Sequence, residues 1–134
     1  MEHYFDLGSH SRPITTSSEE GQLWFNRGLN WLYGFNHAES VACFQRAAES
    51  DPACAIAHWG IALAKDPYSN NPWSYYSERE PPETLDTCYH TARHDQGPRA
   101  DGTPIERALL DALVQRCPSP KHPEPAALAR WNDV

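Results

Sequence analysis

No apolar run in this chain of 134 residues approaches the roughly 18 needed to cross a bilayer. The opening, Met1-Glu2-His3-Tyr4-Phe5-Asp6, is acidic and lacks the apolar core of a secretory signal. Basic residues are scarce: 11 Lys and Arg stand against 18 Asp and Glu, for a formal charge of −7. A phosphate-binding surface needs the opposite excess, so nucleic acid is excluded as a partner, and an anionic membrane surface with it. Cys43, Cys54, Cys88 and Cys117 form no C-x-x-C pair, which weighs against a zinc ribbon or a thioredoxin-type motif. A G-x-S-x-G elbow, a phosphate loop and a dinucleotide fingerprint are also missing. No two carboxylates stand out as general acid and base. These gaps point to a soluble, cytoplasmic protein with reduced thiols and no cofactor.

What the chain does have is punctuation. Twelve prolines and seven glycines cut one domain's length into short segments. Residues 1–16 show no steady period and read as an extended N-terminal segment. Thr16-Ser17-Ser18-Glu19-Glu20 is a helix start, with Ser17 and Glu20 spaced as a capping box. The first helix is expected over 19–34 and the second over 37–50. A third should open at Asp51-Pro52, with proline in its first turn, and run to Lys65. The stretch Asp66 to Trp73 is rich in turn formers. A fourth helix is expected over 83–95. Thr103-Pro104-Ile105-Glu106 supplies capping threonine, proline and glutamate in order, so a fifth is expected over 104–116. A last one is expected over 126–134.

Between Trp24 and Pro52 the residues Trp24, Gly28, Trp31, Phe44, Ala47 and Pro52 recur at offsets of 0, 4, 7, 20, 23 and 28. The spacing describes two antiparallel helices, with large residues on one face of each and small residues where they meet. It resembles the tetratricopeptide repeat. Arg27 stands where that family usually has leucine, Ser40 where it has alanine, and an aromatic replaces a common glycine within the turn Gly34-Phe35-Asn36-His37. The resemblance implies an all-α fold of antiparallel helix pairs stacked as a right-handed array of about six helices. It places a clear repeat over 21–54 and a degenerate one from 55, within a helical domain of residues 17–134. The chain also resembles the N-terminal part of longer tetratricopeptide-like proteins, so truncation inside the last helix is a further expectation.

The resemblance assigns Gln22, Phe25, Leu29, Leu32 and Tyr33, with Ile56, Trp59 and Leu63, to the inner face of the array. An apolar, aromatic groove of this kind suits a helix or extended peptide. The expected function is therefore a protein-interaction scaffold that contacts a protein or peptide through Phe25, Leu29, Tyr33, Trp59 and the loop residues Asn70, Asn71 and Trp73. The competing expectation is that the chain fills its own groove, with Tyr4 to Leu7 or the last two helices packed there. Self-association through the C-terminal helix is a further possibility. An alternative function is a metal-binding or enzymatic module built on His37, Cys54 and His58. Cys54 and His58 are four residues apart and share a helical face, although His58 also fits as a packed side chain. His90 and His94 share a face in the same way but lack the glutamate of a zinc-protease motif, and a solvated face accounts for them.

Overall fold

The computed structural model describes residues 5–65, 82–94 and 102–120, and all regular structure among them is helical. Helix α1 spans Glu19–Tyr33, α2 His37–Ser50, α3 Ala55–Lys65, α4 Pro82–His94 and α5 Pro104–Arg116. α2 and α5 have the bounds expected from sequence, and α1 and α4 lie within one residue of theirs. The loop with Asn70, Asn71 and Trp73, and the expected last helix, lie outside the described residues.

One helix cap and one helix start differ from expectation. The N-cap of α1 is Ser18, whose hydroxyl accepts from the Gly21 N–H at 3.0 Å. Ser17 cannot serve, because its N–H and hydroxyl both donate to the Asp51 carboxylate, at 2.8 and 3.2 Å. α3 begins at Ala55 rather than at Asp51-Pro52. Asp51 instead closes α2 as its C-cap. Pro52 lies in a turn that the Cys54 N–H closes on the Asp51 carbonyl at 3.0 Å, where its fixed φ suits the second turn position.

α1 and α2 are joined by only three residues and pack on each other as a hairpin; α3 packs on α2, and α4 and α5 pack on α3. The centre of the first three helices is Phe44, which is fully buried. Its ring fits because two helices present glycine to it. A Cβ on Gly28 would lie 2.6 Å from the ring, and one on Gly60 would lie 2.5 Å from it. The Phe25 ring completes the contact at a centroid distance of 5.3 Å. Buried Ser40 has its own reason to replace alanine: its hydroxyl donates to the Gly28 carbonyl at 2.8 Å, joining the two helices at their closest approach.

A second cluster gathers Ala62 of α3, Cys88 and Ala92 of α4, and Leu113 and Cys117 at the end of α5. Half-buried Trp59 packs against both clusters and so couples them. Arg93 spans α4 and α5. Its guanidinium lies 3.9 Å from the centre of the Tyr89 ring. It also donates to the Cys117 carbonyl at 2.7 Å and the Val114 carbonyl at 3.2 Å. A cation on the last carbonyls of α5 answers the negative end of that helix. His90 is drawn aside by Asp86, 3.3 Å away on the exposed face.

Candidate functional site

The N-terminal segment determines what the helices leave open. Residues 5–14 run along α1 in the reverse direction: Ile14 pairs with Gln22, His10 with Asn30, and the Phe5 ring stands edge-on to Trp31 at 5.5 Å. Ile14 of this strap and Leu109 of α5 pack against the cluster that holds Phe25 and Leu29. Phe25 is 1% and Leu29 2% exposed. These two residues, expected at a partner surface, are core residues here: they belong to the cluster that α1 forms with α2 and α3, where the Phe25 ring meets Phe44.

The strap is pinned where it enters α1. Glu106, in the first turn of α5, forms the expected capping box with Thr103. Its two oxygens also accept from the Thr15 N–H at 2.8 Å and the Thr15 hydroxyl at 2.7 Å. Asp51 accepts from the Thr16 hydroxyl at 2.7 Å as well as from Ser17. Both carboxylates are buried. The Thr16 hydroxyl and the Ser17 N–H hold Asp51 below the usual carboxylate range. Burial pushes Glu106 upward, but the N–H groups and hydroxyls of Thr15 and Thr103 outweigh it, and this carboxyl too lies below its ordinary value.

A cavity of about 270 Å3 opens beside this clamp. Thr15, Thr16, Ser17, Asp51 and Glu106 form its polar side, and Ile56 and Leu110 its apolar side. Carboxylates that are held ionised and bound by N–H and hydroxyl donors are poor proton shuttles. The arrangement fastens three parts of the chain together.

His37, Cys54 and His58 each turn to a different backbone carbonyl. His37 Nδ1 is 3.2 Å from Ala64 O, Cys54 Sγ is 3.4 Å from Thr15 O, and His58 Nε2 is 3.2 Å from Pro52 O. Among the described residues no three His, Cys, Asp or Glu side chains converge as metal ligands would. Burial also raises the Cys54 and Cys43 thiols above their ordinary pKa, which suppresses the thiolate a metal or a nucleophilic reaction needs.

Phe5, Leu23 and Ile105 are exposed, but the two most exposed large apolar side chains among the described residues form an aromatic tip at the turn between α1 and α2. Tyr33 is 66% and Phe35 70% exposed. The His10 ring of the strap flanks Tyr33 at 5.9 Å. The backbone here forms a Schellman motif: the Asn36 N–H donates to Trp31 O at 2.9 Å and the Phe35 N–H to Leu32 O at 3.0 Å. That motif needs a left-handed residue in its penultimate position, and Phe35 takes it with φ 60°. Glycine is the usual occupant, because a Cβ there crowds the carbonyl. Sequence reasoning noted the aromatic in place of glycine but did not include it among the contact residues. Tyr33, which it did include, lies two residues away.

No family model, no curated protein and no solved structure matches the chain.

Proposed function

We propose that the chain is a tetratricopeptide-like protein-interaction scaffold, and that it meets its partner through the aromatic tip of Tyr33 and Phe35. One observation carries this reading: Phe35 combines a left-handed backbone with 70% exposure. A bulky residue in that conformation costs stability, on the order of 1–2 kcal/mol. Packing would offset such a cost for a buried ring, but this ring is turned to solvent. Backbone strain with no local return is a mark of residues kept for contact with something else. Aromatic side chains also supply much of the binding energy at protein interfaces.

The hairpin suits the role. Trp31, Leu32 and the Schellman hydrogen bonds hold the turn in one conformation, so little entropy is lost when a partner docks. The net negative charge of the chain favours a partner with basic residues around an apolar pocket that receives the ring.

The test compares capture of proteins from a cell extract by the native chain and by two variants, Phe35→Gly and Tyr33→Ser. The expected result is a specific protein held by the native chain and lost by both variants, while the melting temperature of Phe35→Gly rises. Identical capture by all three would remove the tip as an interface.

A further inference from the structure

The strap is held by a surface that reads main chain. Gln22, Asn26 and Asn30 lie four residues apart on α1, and so stand in one row along the helix. The Arg12 N–H donates to Asn26 Oδ1 at 3.0 Å and the Ile14 N–H to Gln22 Oε1 at 2.9 Å. In return Gln22 Nε2 donates to Arg12 O at 2.8 Å and Asn30 Nδ2 to His10 O at 3.1 Å. The contacted residues are 10, 12 and 14, the alternate positions that face one way in an extended segment. None of these four bonds involves a strap side chain. The row also fixes itself: Gln22 Nε2 donates to Asn26 Oδ1 at 3.0 Å, and Asn30 Nδ2 to Asn26 O at 2.9 Å. Its amides are therefore oriented by α1 and do not depend on the strap for their geometry.

The strap is also well placed to leave. The bonds from His10 and Arg12 lie at the exposed surface, where water competes and each is worth little net. The chain is secured from Ile14 onward, first by the core contact and part-buried bond of Ile14 and then by the Glu106 and Asp51 carboxylates. Pro13 stands between the two regimes. Residues 5–12 thus form an arm of at most about 26 Å that swings on a fixed pivot, next to a row that accepts any main chain of the right shape.

We propose that this row is a peptide site which the strap of a second copy occupies, so that two chains exchange residues 5–12 in a symmetric dimer. The occupant is argued from the occupied site: the same atoms that bind within one chain bind identically between two, which makes exchange of an existing element an inexpensive route to association. Phe5 on Trp31 supplies an apolar anchor in either arrangement. The local concentration of the attached strap favours the closed monomer in dilute solution, and the exchanged form gains as protein concentration rises.

The experiment uses the full chain and a fluorescent peptide of residues 5–14, followed by anisotropy, with sedimentation equilibrium of the unlabelled protein. Arg12→Pro removes the strap's own donor to Asn26 while leaving the row intact. That variant should bind the peptide about three- to tenfold more tightly than the native chain, because its own strap competes less well for the row. Asn26→Leu should abolish both peptide binding and dimerisation, with helical circular dichroism unchanged. A peptide N-methylated at Arg12 should fail on every protein. Peptide binding indifferent to N-methylation, or a dimer indifferent to Asn26→Leu, would overturn the proposal. Specific peptide binding by a chain that stays monomeric at all concentrations would overturn exchange between copies, leaving a foreign extended segment as the occupant.

Discussion

Phe35 and Gly60 show how much one residue decides here, in opposite senses. Phe35 adopts φ 60°, where glycine would be at ease, so Phe35→Gly is expected to raise stability by about 1 kcal/mol. Thermal unfolding measures this independently of any partner. Gly60 has no room for a side chain, since a Cβ there would stand 2.5 Å from the Phe44 ring. Gly60→Ala is expected to destabilise by about 1–3 kcal/mol, read from a urea midpoint, even though alanine is the better helix former. Gly28 was legible as a close-approach residue because the repeat spacing places a small residue there. Gly60 was not, because the second unit is degenerate and its spacing points to Ala62 instead. Tyr33, Phe25 and Leu29 share one periodicity, yet Tyr33 is exposed while Phe25 and Leu29 are buried in the helix core, a difference that spacing alone does not carry.

At the scale of the element, local chemistry was read most reliably where it is self-contained. The Thr103-Glu106 capping box and the proline between them mark the start of α5 in sequence, and the structure has that box. The start of α1 at Glu19 was read correctly, but its cap was misplaced by one residue because Ser17 answers to Asp51, 34 positions away, and no local pattern carries that demand. The same holds for Pro52, which suits a helix start in isolation but is used to turn. The two carboxylates of the clamp give these joints a pH dependence. Both groups sit below their ordinary pKa when folded. Their contribution is therefore complete above the unfolded value of about 4 and is lost as pH falls through the folded values. Melting temperature should hold steady on this account down to about pH 5 and drop below pH 4. Asp51→Asn and Glu106→Gln should each flatten that drop and lower the melting temperature at neutral pH, and a pH series of thermal scans separates the two effects. An unchanged acid limb in both variants would locate the acid sensitivity elsewhere.

At the scale of the molecule, the helical character and the order of the elements among the described residues were legible from periodicity and caps, while the way they close on one another was not. Sequence reasoning offered two outcomes for the apolar face of α1, open to a partner or filled by the chain. Phe25 and Leu29 are taken up by the cluster that α1 forms with α2 and α3, while the strap is fixed by contacts between residues far apart, as with Thr15 and Glu106, 91 positions from each other. Stacked helix pairs that touch only their neighbours unfold piecemeal, with each unit opening at its own free energy. A bond between the lead into the first helix and the first turn of the fifth removes that freedom. Fraying at the start of α1 is thereby linked to α5 through Thr15 and Glu106, and to the end of α2 through Asp51. Hydrogen exchange at Gly21 and Gln22 should thus share one opening free energy with Leu110 and Leu113, and Glu106→Gln should split them into a fast and a slow set. The clamp ties the lead into α1 to the first turn of α5 and to the end of α2, so segments distant in sequence are expected to open together.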